Sequence, residues 1–471
     1  MSNSTIEINT KTPFLKLLKQ AITGEVKEFT SGSIDRAIFL LAVPMILEMA
    51  LESLFAVVDI FFVNRIGKEA VTTVALTESL ITIVYSVAIG LSMGATAMVA
   101  RRAGEKNFKA VGDIAAQALY IGTAFALLFG AIGFFFPKQI LSVMGASHAV
   151  VESGYRFTQI MFTGNVVIML IFLNNAVFRG AGDAAIAMRA LWLANIMNII
   201  LDPIFIFGWG PIPAMGVKGA AIATTTGRGI GVIYQLYHFW KGKGIVKILR
   251  ENLRKNWEII KQMLNLSIGG TGQYLIGSAS WIFLMRIIAN FGENVVAGYI
   301  TAIRVIVFTI LPAWGFANAA ATLVGQNLGA GKPERAEKSV WRTSFLTMIF
   351  FMIVAFVFFF LGEPILSFFN HDPESIEQGK ECLQIISIGY LFFAYGLVIS
   401  QSFNGAGDTK TPTILNFFCF WLMQIPLAWL LAVALKLGPK GVYIAIGISE
   451  SVLAIASIVI FRRGKWKQIR V

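Results

Sequence analysis

The sequence predicts an all-α polytopic membrane protein, with twelve transmembrane helices in two six-helix bundles related by a parallel pseudo-two-fold repeat. Three observations predict it. Of 471 residues, 56% are hydrophobic and only 14% charged, a balance outside the soluble range. Twelve apolar stretches are long enough to cross a bilayer core, which takes about 20 residues. Landmarks of the first half also return in the second at a fixed spacing.

Residues 12–29 set their apolar side chains mostly in pairs (Phe14 and Leu15, Leu17 and Leu18, Ala21 and Ile22). That spacing fits either a short amphipathic helix on the membrane surface or a solvated tail. The N-terminal segment, 1–33, has no apolar core before a small-residue cleavage site and does not read as a signal peptide. Spans are expected at 37–63, 70–100, 113–136, 150–178, 187–207 and 216–240, a first bundle within 34–240. The longest basic stretch, KGKGIVKILRENLRKNWEIIK at 241–261, divides the halves, with the linker itself at 241–259. Six more spans follow at 260–289, 294–323, 338–362, 375–404, 411–435 and 440–462, a second bundle within 260–462, and 463–471 forms a tail.

Lys and Arg concentrate in cytoplasmic loops, so their distribution sets the orientation. Alternate loops and both tails hold 28 of the 39, the opposite loops hold seven, and four lie within spans. Both termini are expected in the cytoplasm of a multi-pass inner (plasma) membrane protein. The net charge of +13 follows this topology and does not imply nucleic acid. Cys382 and Cys419 lie in separate apolar segments without metal spacing, and imply neither a disulfide nor catalysis.

FRGAGD at 178–183 returns as FNGAGD at 403–408, IGKEAV at 66–71 as FGENVV at 291–296, and VARRAGEKN at 99–107 as VGQNLGAGK at 324–332. All three are shifted by 225, and MGVKGAAIA at 215–223 returns as LGPKGVYIA shifted by 222. Six spans per half is an even number, so both halves start on the same side. The repeat is parallel, and a cavity is expected between the bundles. The glycine-rich FRGAGD and FNGAGD runs read as symmetric tight turns, since no strand precedes them and no Lys-Ser pair follows.

The first span carries Glu48, Glu52 and Asp59. On a helix these lie within roughly 40° of their neighbours and form one acidic stripe. An ionised carboxylate at mid-bilayer costs about 2.5–3.5 kcal/mol, so the stripe must face protein or water. That points to a cation-handling site. Glu78, Glu450, Arg286 and Arg304 read as structural ion pairs or snorkelling side chains, with a gating pair as the other reading.

Pro44, Met45, Ile46, Val58 and Asp59, the doubled FRGAGD and FNGAGD, NIILDPIFIF at 198–207, MGVKGAAIAT at 215–224 and VGQNLGAGKPERA at 324–336 together resemble the multidrug and toxic compound extrusion family. The resemblance covers about 34–462. It implies an outward pump for drug-like small molecules, often cationic and aromatic, driven by inward flow of H⁺ or Na⁺. It further implies coupling in the N-terminal lobe, at the positions held here by Asp59, Asn198, Asp202 and Thr224, with Asn175 lining that lobe. Glu52 stands where many relatives carry an uncharged polar residue and would add a titratable group. Helix one would bend near Pro44, which with Glu48 and Asn175 is expected to line the cavity.

Two carboxylates, an amide oxygen and a hydroxyl could replace the water shell of a small cation, and Asn198 and Asp202, four apart on a helix, face the same way. A Na⁺ at Asp59, Asn198, Asp202 and Thr224 is the one metal expected, and no cofactor is. Shifted by 225, Asp59 falls on Leu284 and Asp202 on Leu427, or on Ile425 with the prolines aligned. A scaffold requirement would appear in both copies, so this asymmetry points to function. The expected protein is an antiporter and not an enzyme, working as a monomer among membrane lipids. A flippase for lipid-linked precursors is the alternative, although four bases within the spans are few for a pyrophosphate site.

Overall fold

A computed structural model of the chain describes residues 13–25, 28–241 and 244–471. Lys11, Lys27 and Lys243, counted above for topology, lie outside the described residues. A short helix α1 (Phe14–Thr23) precedes the spans, with Ala21 buried and Phe14 and Leu15 exposed. It is tied to the start of α2 (Ile34–Asn64) by Arg36 Nη2, which donates to Gln20 Oε1 at 3.2 Å.

The first half continues through α3 (Lys68–Gly104), α4 (Phe108–Phe135), a short α5 (Pro137–Val143), α6 (His148–Thr163), α7 (Asn165–Gly180), α8 (Ala184–Phe207) and α9 (Val217–Lys241). The second half holds α10 (Trp257–Ile288), α11 (Glu293–Gly329), α12 (Pro333–Ser367), α13 (Pro373–Ile388) and α14 (Tyr390–Ala406). It ends with α15 (Lys410–Asn416), α16 (Ile425–Trp429) and α17 (Pro439–Arg462). Among the described residues ten helices or unbroken helix pairs are long and apolar enough to cross a membrane. The pair α13–α14, bent by 62° at its break, makes an eleventh. The remaining expected span is α9, at 25 residues long enough but less apolar. It carries Thr224, Arg228 and Gln235, which it buries against neighbouring helices instead of offering them to lipid.

The repeat is visible in individual contacts. Gln159 Nε2 donates to Phe134 O at 3.1 Å, and 225 positions on Gln384 Nε2 donates to Phe359 O at 3.1 Å. The turns after α7 and α14 place Gly182 and Gly407 at φ +87° and +92°, a left-handed backbone that a β-carbon would strain.

Contacts between the halves come in exchanged pairs. A β-carbon at Gly104 of α3 would sit 2.0 Å from Gln326 O of α11, and one at Gly329 of α11 would sit 2.1 Å from Arg101 O of α3. Further along, Gly90 of α3 abuts Thr271 of α10, and Gly315 of α11 abuts Ile46 of α2. Glycine at these crossings lets backbones touch where larger side chains would hold the helices apart. The halves therefore close on each other at the end rich in Lys and Arg. There Arg101 and Arg102 donate to Ile469 O and Val471 O, while Arg335 donates to the carbonyls of Phe29, Ser31 and Gly32.

The halves differ in places: α12 runs unbroken where the first half is split into α4 and α5, and a later helix of the second half is widened. After α15 the backbone widens into π-helical turns over Phe417–Gln424 and again over Leu430–Ala434. Pro426, which has no N–H to donate, sits between them in α16.

Candidate functional site

Between the halves lies a cavity of about 530 Å³. Glu48, Glu52 and Asn175 line it, together with Tyr85 and Arg179. Glu48, 1% exposed, accepts at Oε1 from Arg179 Nη1 at 3.1 Å and from Asn175 Nδ2 at 2.9 Å. The Asn175 oxygen accepts from Gln235 Nε2, whose own oxygen accepts from Asn174 Nδ2 at 3.1 Å. A buried ion pair offsets its dehydration only when further hydrogen bonds surround it; the amide chain supplies one, at Oε1, while Oε2 has no partner among the described residues.

One helical turn on, Glu52 accepts from Arg228 Nη2 at 3.2 Å and from Asn195 Nδ2 at 3.2 Å. Arg228 also donates from Nη1 to the Tyr85 hydroxyl at 3.0 Å. Two of the three acids of the α2 stripe are thus paired, with an arginine arriving from α7 and another from α9.

Asp59, the third member of the stripe, does not line the cavity and makes no hydrogen bond or ion pair among the described residues. It lies half-buried, within electrostatic reach of Arg228, Asp202 and Glu78. Asp202 is fully buried in α8, beside Asn198 and Thr224. With its NH₂ turned toward the carboxylate, Asn198 donates to Asp202 Oδ2 at 2.9 Å, and its oxygen accepts from Thr224 N and Oγ1 at 3.0 and 3.1 Å. Asn198, Asp202 and Thr224 form one connected cluster, with Asp59 its nearest charged neighbour on α2.

Pro44, expected to line the cavity, does not. This part of α2 packs directly on α11, with Met45 fully buried and Ile46 against Gly315, so no space opens there. α8 runs past Pro203 to Phe207, so Asp202 sits within the helix. Arg179 lies just past the expected span 150–178 and Arg228 inside the expected span 216–240, and neither is among the expected site residues. The doubled sequence held a signal for both. Positions 48 and 179 recur as Gln273 and Asn404, and position 228, at the shift of 222, recurs as Glu450. Each is a charged residue that changes character between copies. Glu450 has no ion-pair partner among the described residues, so of its expected readings the ion pair is not met.

The chain matches the MatE family at residues 44–204 and again at 272–430, once in each half. It belongs to the MatE family. Relatives of this MatE chain include a probable multidrug resistance protein NorM of Thermotoga maritima, 27% identical over 92% of this chain and 94% of that one. A probable multidrug resistance protein YpnP of Bacillus subtilis is 25% identical over 94% of this chain and 98% of that one. Among solved structures, an outward-facing multidrug resistance MATE transporter superposes with a TM-score of 0.86 at 25% identity. It spans 96% of the MatE chain and 98% of its own. The protein is therefore a multi-pass membrane protein of a transporter family, built as two six-helix halves.

Proposed function

We propose that this chain is a secondary active multidrug efflux transporter that exports cationic or lipophilic compounds in exchange for H⁺ or Na⁺. The observation that carries the reading is the Asp59, Asn198, Asp202 and Thr224 grouping inside the first half, with apolar residues at both repeat positions of its acids. Two carboxylates that feel each other away from water compete for a positive charge, and a proton or a small cation relieves them. For Na⁺, Asp59 and Asp202 would supply charge and Thr224 a hydroxyl oxygen, while the Asn198 oxygen would first release Thr224. Glu52 connects this group to the cavity, because its partner Arg228 also lies within reach of Asp59. Loading the acids weakens their hold on Arg228, and the Glu52 and Tyr85 contacts readjust at the cavity wall.

With the basic end in the cytoplasm, the halves are closed on the cytoplasmic side. That arrangement is the outward-directed half of an alternating cycle, and the likeness to an outward-facing relative supports it. Among the described residues the only arginine lining the cavity, Arg179, is paired with Glu48, so they offer no free cationic wall for a pyrophosphate, which disfavours the flippase alternative. Dye efflux from vesicles under separately imposed proton and sodium gradients tests the coupling. Asp59→Asn is expected to abolish gradient-driven efflux while the protein remains folded and inserted, and full efflux by that variant would refute the role of Asp59.

A further inference from the structure

A second recess of about 260 Å³ adjoins the cavity inside the second half. The two share Tyr274, Trp281 and Trp314 as walls. Three glutamates line the combined space, namely Glu48, Glu52 and Glu450. The first two each hold an arginine. Glu450 holds none: it has no hydrogen bond and no ion pair among the described residues, and the titratable groups facing it are Tyr390 and Cys419. A phenol and a thiol bring no positive charge at neutral pH.

The repeat explains how this vacancy of charge arises. In the first half Arg228 of α9 reaches Glu52 of α2. At the two corresponding positions the second half has Glu450 and Gly277, and both line the recess. A β-carbon on Gly277 would meet nothing within 4 Å. Tyr85, the other partner of Arg228, recurs as Ile310. Where the first half is filled by an acid and a guanidinium, the second offers a carboxylate, open space and aromatic walls.

We infer that the recess around Glu450 is the subsite that holds the positive charge of an organic cation during transport, the charges of the first half's pair being reversed, with Glu450 at the repeat position of Arg228 and the ligand in the open space at that of Glu52. This rests on the proposed efflux function and names the part of the cavity that selects charge. A bare metal ion fits less well, because one carboxylate stands in a space several times the roughly 30 Å³ share of a water molecule. An aromatic cation gains twice, from the carboxylate and from ring faces such as Trp281 and Tyr274.

The probe is ethidium, a flat monovalent aromatic cation whose fluorescence rises on binding, added to the purified full-length protein in nanodiscs. Glu450→Gln is expected to weaken ethidium binding roughly tenfold or more, and Glu450→Asp to retain part of it. Gly277→Arg, which supplies an internal guanidinium, is expected to block the probe, with unfolding temperature and gel-filtration profile as controls for folding. Wild-type ethidium affinity in a folded Glu450→Gln protein would overturn the subsite. So would a Na⁺ binding signal, in titrations of NaCl against KCl, that depends on Glu450 while ethidium affinity does not. Asp59→Asn separates the two proposals: it should stop gradient-driven efflux, while ethidium binding by the variant should still fall when Glu450→Gln is added. Loss of efflux with retained charge selection at Glu450 would therefore isolate the coupling site from the subsite.

Discussion

The two halves share a backbone plan and divide the chemistry between them. Glu48 and Arg179 form a buried ion pair in the first, whereas the residues 225 positions on, Gln273 and Asn404, exchange amide hydrogen bonds at 2.9 and 3.0 Å. The same geometry thus accepts a charged or a neutral pair, so the fold does not require charge there. What the first half gains is an electrostatic link from the cavity wall into the bundle. What the second half gains, at Glu450, is a carboxylate without an internal partner.

The largest effect should come from splitting the charged pair. Arg179→Asn leaves Glu48 buried without its counter-charge, and losing one partner of such a pair costs about 3–5 kcal/mol. The expected outcome is a clear drop in the thermal unfolding midpoint in detergent or nanodiscs. Adding Glu48→Gln recreates the amide pair of the second half and should restore most of that loss. A double variant as unstable as the single would break the equivalence of the two sites.

A smaller effect is expected where the halves are alike. Gly104→Ala and Gly329→Ala each force a β-carbon against backbone at the exchanged crossings, and overpacking of this kind costs about 1–3 kcal/mol. Both should open the basic end, seen as a longer distance between spin labels placed across it. The two shifts should be similar, and a large shift from one alone would show that the crossings are not equivalent. Least of all should matter the exposed Lys138–Glu152 pair at 2.7 Å, whose counterpart in the second half has its charges reversed, Glu363 at the repeat position of Lys138 meeting Lys380. Lys138→Ala should leave unfolding midpoint and transport at wild-type values, because exposed pairs are solvated and screened.

Much of the architecture was legible because membrane helices announce themselves one at a time. Length and apolarity locate each span, and a shift of 225 between landmarks pairs them. α9 was legible only as a length, since its buried Arg228 and Gln235 lower its apolarity for reasons that lie on other helices. The stripe of Glu48, Glu52 and Asp59 was legible too, because 3.6 residues per turn places all three on one face. Its partners were not. Arg179 and Arg228 stand 131 and 176 residues from the acids they meet, and helical periodicity carries no information at that range. Pro44 failed for a related reason: its place on the same helix says nothing about whether α11 or empty space lies opposite.

By itself, then, the sequence determined the number and order of the helices, their doubling, and which helix must hide acids from lipid. Each of these follows from local hydrophobicity, period and spacing. Only the tertiary structure decided which acids are neutralised from within, which side of the bundle is closed, and that Glu450 is left facing a hollow. Those outcomes depend on contacts between helices far apart along the chain, where one glycine or one arginine settles whether a gap is filled.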